Sequence, residues 1–323
     1  MAHKNKKSNF LPSVIKTAVI AGGAYLLVGE IVYEGVLNKK FINARKNKFR
    51  GIEPELSKYY DNPDEMNGAD AWFVAENPEV TPLVKSDGET IYSNIIPSKE
   101  PSDVWAIVVH GYTSCPRGMA VQAKEFHDMG YNVLLPVLRG HYIDEHEYCS
   151  MGYYDKDYII AWIDYIRSVN ENARILLLGV SMGSATVMMT TGEELPDNVK
   201  CAIADCGYTS CWDEYKEQIG VMFHLPVFPF LYAMNTVSKL RGNFDLKKCS
   251  PVRAVAKSKT PTLFIHGEKD AFVPYRMMDE VYNACSAEKE KLSVPDAMHA
   301  ESVDVHPEMY WDKVKSFIGR YIK

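Results

Sequence analysis

Continuous apolar runs alternate with helical patterns along most of this sequence, and this alternation restricts the folds open to the chain. The runs are typical of strands buried on both faces, and they occupy residues 104–111, 131–141, 174–181, 199–207 and 260–267. Between two of them, Ile159, Ile163 and Ile166 are spaced as on one face of a helix. The pattern predicts a mostly parallel sheet covered on both faces, with functional groups at the carboxyl ends of its strands.

Four segments divide the chain of 323 residues. Residues 1–50 are an apolar segment with basic flanks, and the polar, Pro/Gly-punctuated residues 51–78 predict a connector. Residues 79–323 form the main domain, which begins with a hairpin signal around an Asp-Gly pair. Within it, about residues 207–250 are rich in aromatic residues, methionine and proline, and they predict an inserted helical lid, although an ordinary pair of core helices is the alternative.

The N-terminal segment is interpreted as a single anchor in the cell membrane. Residues 17–29 carry no charge but are shorter than the ~20 residues that a spanning helix needs, and extension to Leu37 supplies the length while including Glu30 and Glu34. An interfacial or docking helix is the alternative, and the apolar stretch is too short for a cleaved signal peptide. Basic residues are more numerous after the segment than before it, which slightly favours a cytoplasmic main domain.

Composition excludes several classes of protein. With 46% hydrophobic and 24% charged residues the chain is globular, and its net charge of -6 without a basic stripe excludes a nucleic-acid partner. The seven cysteines are scattered, which is atypical of a disulfide framework or a zinc site and favours free thiols in a reducing compartment.

A serine flanked by glycines stands where an apolar run meets a helical pattern. Gly179, Ser181 and Gly183 fit the G-x-S-x-G motif in a strand–turn–helix context. In so tight a turn, side chains at the glycine positions would collide with the neighbouring strand and helix. The free N–H groups of the following helix would face a developing anion. The motif predicts Ser181 as a nucleophile, and an ordinary tight turn is the alternative.

A serine nucleophile needs a base, and this arrangement requires the chain order serine, acid, histidine. Four histidines follow Ser181: His224 in the lid, His266 at the end of a strand, His299 and His306. His299 lies in a loop between a short strand and the last helix, and we predict that it is the general base. For His266 we expect a backbone or substrate-side role, and for His306 a surface position.

The acid is expected between the serine and the histidine. Asp270 follows the strand that ends at His266, and from there its carboxylate can accept the second ring N–H of His299. Asp205, at the end of the preceding strand, is the competing candidate. Asp296 is interpreted as a turn residue.

Two backbone N–H groups are predicted to form an oxyanion hole. Enzymes with this elbow use the residue after the nucleophile, here Met182, and one from the loop after the first core strand, here Tyr112. Gly111 would allow the substrate to approach the backbone closely, and His110 is interpreted as a structural hydrogen-bonding residue.

In this order the motifs resemble the α/β-hydrolase superfamily, in its branch of bacterial serine aminopeptidase-like and lysophospholipase-like hydrolases. The matching stretches within residues 79–323 are VVHGYTS, LRGH, GVSMGSA, SPVRAVAKSKTPTLFIHGEKDAFVP and AMHAES. The resemblance implies an eight-stranded sheet flanked by helices, a lid after the sixth strand, and a triad of Ser181, Asp270 and His299. One departure is LRGHYIDEHEY, where many relatives carry a glycine-serine pair after RGH; we expect this difference at the pocket wall.

These residues predict a serine hydrolase that needs no metal or cofactor and cleaves carboxylic esters of hydrophobic or amphipathic acyl substrates. The aromatic lid and the anchor favour such substrates. One alternative is a serine exopeptidase on short peptides, with Glu214 and Glu217 of the lid holding the α-amine. The alternative of another class is a catalytically silent, membrane-tethered interaction protein.

Overall fold

One eight-stranded sheet organises the part of the chain that the computed structural model describes, residues 10–42 and 68–323. Its strands are β1 (Val80–Val84), β2 (Thr90–Ile96), β3 (Val104–Val109), β4 (Asn132–Pro136), β5 (Arg174–Val180), β6 (Val199–Asp205), β7 (Thr262–Gly267) and β8 (Lys289–Val294). The spatial order is β1-β2-β4-β3-β5-β6-β7-β8. The predicted hairpin is the antiparallel pair β1–β2, β2 also runs antiparallel to β4, and all other pairs are parallel.

Helices connect these strands and cover the sheet. They are α1 (Phe10–Leu37), α2 (Gly68–Glu76), α3 (Ala120–Asp128), α4 (Asp155–Val169), α5 (Met182–Thr191), α6 (Cys211–Phe223), α7 (Val227–Arg241), α8 (Pro251–Val255), α9 (Arg276–Ala284), α10 (Ser302–Val305) and α11 (Pro307–Ile318). The helices α6 and α7 lie between β6 and β7, where the lid was predicted. The prediction of a mostly parallel sheet with flanking helices and an insertion after the sixth strand is confirmed.

The core lies on both faces of the sheet, which explains the uninterrupted apolar runs. Successive side chains of a strand point to opposite faces, so both faces need apolar residues when both are covered. In β3, Ile107 and Val109 pack with α4 to α7, whereas Ala106 and Val108 pack with α2, α3 and α11. None of the seven cysteines, all of which lie in the described ranges, forms a disulfide.

The helices α1 and α2 differ from the predicted division of the N-terminal region into an anchor and a connector. The stretch Ile20–Leu37 of α1 is long and apolar enough to cross a membrane, by length and composition alone. Its second half is nevertheless docked, since Tyr33 and Leu37 are fully buried in the main core cluster. The end of the predicted connector is the helix α2, with Phe73 buried, while residues 51–67 and the basic flanks 1–9 and 43–50 lie outside the described residues.

Candidate active site

The turn between β5 and α5 places Ser181 above the carboxyl edge of the sheet. Ser181 has φ 57° and ψ −118°, a backbone conformation that L-residues rarely adopt. The flanking glycines make the tight turn possible, because neither position has room for a side chain. A Cβ on Gly179 would lie 2.2 Å from the Gly183 carbonyl oxygen, and a Cβ on Gly183 would lie 2.1 Å from the Val109 carbonyl oxygen. The steric reason inferred for both glycines therefore corresponds to real contacts.

The structure brings the three predicted catalytic side chains together from three strand ends. The Oγ of Ser181 lies 2.9 Å from Nε2 of His299, and Nδ1 of the same ring lies 2.7 Å from Oδ2 of Asp270. Ser181 follows β5, Asp270 follows β7 and His299 follows β8. Parallel strands bring these ends to one edge, so residues far apart in sequence meet in one hydrogen-bonded row.

Asp270 is held in place by four donors. Its Oδ1 accepts the backbone N–H groups of Phe272 (2.9 Å) and Val273 (2.8 Å), and its Oδ2 faces His299 and, at 3.2 Å, Nε2 of His266. Burial alone would raise the pKa of Asp270, but the hydrogen bonds from the two histidines outweigh it and lower the pKa to about 2. The carboxylate is therefore ionised throughout the neutral range.

His266 has the backbone contact that was one of its two predicted roles, and it also contacts Asp270, which was not predicted. Its side chain is fully buried and does not line the cavity at Ser181, so the alternative substrate-side role is not supported. The Nε2 atom lies 2.9 Å from the Val273 carbonyl oxygen as well as near Asp270, and we infer that it donates to both acceptors. A histidine four residues before the acid was the available signal, but the contact depends on the turn after β7.

The competing candidates lie apart from this row. Asp205 is buried at the end of β6, where its backbone carbonyl accepts the Ser181 N–H at 2.9 Å, and among the described hydrogen bonds none joins its carboxylate to His299. Burial raises the pKa of Asp205 to about 6, partly offset by His266. The remaining candidates form turns or helix ends: His224 follows α6, His306 precedes α11, and Asp296 has a positive φ and pairs with Lys269.

The loop after β3 lies against the nucleophile. A Cβ on Gly111 would approach the Val180 carbonyl oxygen to 3.2 Å and Ser181 Oγ to 3.9 Å, so the bare backbone permits this proximity. Met182 begins α5, and its N–H therefore has no acceptor within the helix. Met182 and Tyr112 both line the cavity beside Ser181. This placement is compatible with the two predicted oxyanion donors, whose assignment stays a prediction.

His110 connects two strand-end loops. Its ring is fully buried, with Nδ1 2.9 Å from the Gly111 carbonyl oxygen and Nε2 accepting the Leu138 N–H at 3.2 Å. The loops after β3 and β4 are thereby tied together, which fits the structural role predicted for this histidine.

Comparison with known proteins identifies the fold. A family model described as the alpha/beta hydrolase fold matches residues 107–225, which run from within β3 through β6 and α6 and include the serine turn. The chain has the α/β-hydrolase fold. At that level the predicted resemblance is confirmed, and the sheet order and strand-end site described above belong to the same fold.

Similarity to known sequences extends over most of the chain. The uncharacterized protein YqkD of Bacillus subtilis is 27% identical over 257 residues, covering 78% of this chain and 83% of its own. The thermostable monoacylglycerol lipase of Bacillus sp. strain H-257 is 24% identical over 247 residues, covering 69% of this chain and 93% of its own.

Solved structures show the same fold. The esterase Pf2001 of Pyrococcus furiosus superimposes with a TM-score of 0.62 at 20% identity, covering 78% of this chain and 96% of that one. The acylaminoacyl peptidase of Pyrococcus horikoshii gives a TM-score of 0.55 at 19% identity, covering 75% of this chain and 40% of that one.

A cavity of about 630 Å³ opens at Ser181 and His299. Its volume lies within the range of small-molecule sites. Apolar and aromatic side chains dominate its lining, from α1 (Val28, Ile31, Val32, Val36), the lid (Tyr208, Tyr215, Ile219, Leu225, Phe230, Met234) and other loops (Met151, Phe272, Val273). No residue of the departing segment 138–148 lines it, so the expectation that this segment alters the pocket wall is wrong. The segment contacts α1 instead, through the hydrogen bond from the Tyr148 hydroxyl to Glu34.

One carboxyl group lies in this apolar lining. Glu214 of α6 is buried, and its Oε1 accepts the Gln218 side-chain N–H at 3.0 Å. Burial raises the pKa of Glu214 to about 8, so the group is mostly protonated at neutral pH. Glu217, the other lid carboxylate considered, does not line the cavity and pairs with Arg276 at 2.5 Å.

One grouping within the described residues could in principle hold a metal ion. Ligand atoms of Cys206, Asp270 and His299 lie within 4.8 Å of one another. Burial raises the pKa of the Cys206 thiol well above its usual value, whereas a metal requires the thiolate. Since Asp270 and His299 are already hydrogen-bonded to each other, the residues fit a hydrogen-bonded network better than a metal site.

Proposed function

We propose that this protein is a serine hydrolase that cleaves carboxylic esters of hydrophobic or amphipathic acyl substrates. The observation that carries the proposal is the hydrogen-bonded row of Ser181, His299 and Asp270 at the edge of a largely apolar cavity. A nucleophile with a base in contact, and a carboxylate orienting that base, is the arrangement that acyl transfer requires. An apolar cavity beside it favours an acyl chain over a polar substrate.

The proposed mechanism uses groups of the chain alone. Ser181 Oγ attacks the acyl carbonyl while His299 Nε2 takes its proton, and the oxyanion accepts hydrogen bonds from the N–H groups of Met182 and Tyr112. Asp270 holds the imidazolium and keeps Nδ1 protonated. His299 then gives its proton to the leaving alcohol, and a water molecule, activated by the same ring, hydrolyses the acyl-enzyme.

Hydrolysis of p-nitrophenyl acyl esters of increasing chain length, compared with aminoacyl-p-nitroanilides, tests the substrate class with the full chain in detergent. We expect turnover of esters with a preference for chains long enough to occupy the cavity. Cleavage of the anilides alone would favour the exopeptidase. Absence of turnover, with no labelling of Ser181 by a fluorophosphonate, would favour the tethered interaction protein.

Glu214 separates the ester and exopeptidase hypotheses. We expect Glu214→Gln to change ester kcat/KM by less than about threefold, since a neutral acid and an amide make similar hydrogen bonds. In an exopeptidase that binds the substrate α-amine through this carboxylate, the same change would abolish anilide cleavage. Glu217→Gln, on the same helix but outside the cavity, is the matched control.

The same variant is expected to alter the pH dependence of stability. The folded-state pKa of Glu214, about 8, lies above its ordinary value of 4.5, so between these two pH values the folded protein retains a proton that the unfolded chain loses. Stability therefore falls as the pH rises through this range. We expect Glu214→Gln to raise Tm by about 4 °C or more near pH 9 and by much less near pH 5, in thermal unfolding scans. An equal shift at both values would contradict the assignment.

We further propose that α1 attaches the protein to a membrane. On this helix Ile20 and Leu27 are 72% and 61% exposed, which is unfavourable for apolar side chains in water. We expect the double variant Ile20→Asp/Leu27→Asp to lose membrane association in cell fractionation, because each acidic residue costs up to about 2.5–3.5 kcal/mol in the bilayer. Val169→Asp, at an exposed position of α4, should stay membrane-bound with the wild type. A wild-type protein found only in the soluble fraction would contradict this proposal.

A further inference from the structure

The second half of α1 packs directly on the lid helix α7. A Cβ on Gly29 would lie 2.4 Å from the Ala233 carbonyl oxygen, so the two helices touch backbone to backbone at this point. One turn earlier, the hydroxyl groups of Tyr25 and Thr236 lie 3.2 Å apart. Only glycine allows the two backbones to come this close. The contact therefore fixes the position of α1 along its axis relative to α7.

Polar contacts hold the end of α1 in register. Arg241, the last residue of α7, donates to Glu34 at 2.8 Å and also contacts Glu30. These are the two acidic residues that count against insertion of this half of the helix into lipid. Their pairing with Arg241 indicates that this half belongs to the folded body.

The segment after β4 completes the attachment. Tyr148 donates its hydroxyl to Glu34 at 2.6 Å, the Cys149 N–H donates to the Leu37 carbonyl oxygen at 2.9 Å, and the Asn38 side chain bridges Glu34 and Glu147. Glu147 and Tyr148 belong to the segment that departs from the family pattern, and Cys149 directly follows it. The described role of this segment is to hold α1 rather than to line the cavity.

Once docked, α1 faces the active site. Val28, Ile31, Val32, Gly35 and Val36 line the cavity that contains Ser181, and the Tyr112 hydroxyl donates to the Val36 carbonyl oxygen. At Gly35 an added Cβ would have no atom within 4 Å. The bare backbone at Gly35 therefore leaves space that belongs to the cavity.

We propose that the second half of α1 is a fixed wall of the substrate cavity and that Gly35 sets how long an acyl chain the cavity accepts. This rests on the proposed function, because it assigns a chain-length determinant to the same site. The mouth of the cavity lies on the same side. Ile31 and Leu225 both line the cavity and are 64% and 37% exposed, so an apolar rim runs between α1 and the lid.

The test compares two glycines of the same helix in the full chain. Gly35→Phe fills the cavity, whereas Gly22→Phe adds the same side chain at an exposed position that does not line it and where an added Cβ meets no atom within 4 Å. Across p-nitrophenyl esters from two to sixteen carbons, we expect Gly35→Phe to lower kcat/KM for the longest esters at least tenfold relative to the acetate. Each methylene that can no longer be buried costs about fourfold. Gly22→Phe should keep the wild-type profile.

Smaller changes protect the test against misfolding. Gly35→Ala should shift the profile in the same direction by a smaller factor, and Val32→Ala should extend it toward longer chains. The proposal that α1 forms a wall of the cavity would be overturned if the chain-length profile were unchanged in every variant. It would also be overturned if Gly35→Phe and Gly22→Phe shifted the profile equally.

If the wild type hydrolyses no ester at all, the proposed function fails and the wall is tested separately by binding of a fluorescent fatty acid. Weaker binding of the fatty acid to Gly35→Phe than to Gly22→Phe would then support the proposal that α1 forms a wall of the cavity, and equal binding would overturn that proposal.

Discussion

Ser181→Ala is expected to reduce ester hydrolysis by about 10⁴-fold or more, because it removes the atom that forms the acyl-enzyme in the proposed mechanism. The fold should survive, since alanine needs no more space than serine. Purified variant and wild type would be compared by kcat/KM on the best ester and by labelling with a fluorophosphonate. We expect the label on the wild type at Ser181 and none on the variant.

Ser184→Ala is the matched control for this experiment. Ser184 lies on the next turn of α5, is fully buried, and its hydroxyl has no hydrogen-bond partner among the described residues. Its loss should leave both turnover and labelling close to wild type. Full ester turnover by Ser181→Ala would contradict the proposed nucleophile, whatever the control does.

Asp270→Asn is expected to lower kcat by about 10³–10⁴-fold with little change in KM. The asparagine oxygen can still accept the two backbone N–H groups that now reach Oδ1, so its NH₂ group would face His299. Nδ1 of His299 would then have to accept a hydrogen bond, which places the ring proton on Nε2. In that tautomer Nε2 cannot take the proton of Ser181.

Asp205→Asn distinguishes this effect from general loss of a buried carboxylate. Asp205 stands at the neighbouring strand end, and no described hydrogen bond joins its carboxylate to His299, so we expect a change in kcat of less than about tenfold. An equal loss of kcat in both variants would show that Asp270 has no special role. A full loss in Asp205→Asn alone would make Asp205 the acid.

The stability of Asp270→Asn supplies an independent readout. The folded-state pKa of Asp270, about 2, lies below its ordinary value of 3.8. The ionised carboxylate therefore stabilises the fold above the ordinary value, and this contribution is lost as the pH falls through the folded-state pKa. We expect the variant to be about 2 kcal/mol less stable than wild type at neutral pH, with the difference shrinking on acidification below about pH 4. Urea unfolding of the variant and the wild type, at neutral pH and below about pH 4, measures this difference in stability.

Short stretches of sequence were sufficient to predict the main domain. The apolar runs could be identified as buried strands because they are uninterrupted over the length of a strand, and the serine turn was recognisable because its steric demands fall on residues two positions away on either side. The order of Ser181, Asp270 and His299 along the chain then followed from the arrangement of strand ends. Contacts formed across a turn were harder: the role of His266 depends on how the chain folds back after β7.

What the sequence alone determined was the fold and the identity of the side chains that meet at Ser181, because these follow from local periodicity and from the sharp turn itself. The tertiary structure alone decided where α1 lies. By composition alone, an apolar helix is equally suited to lie in a bilayer or to line a protein cavity. The contacts of α1 with Arg241 and Cys149 join residues far apart in sequence, so they could not be predicted from it. A protein shortened to begin at residue 51 would therefore lose one wall of its cavity together with the proposed anchor.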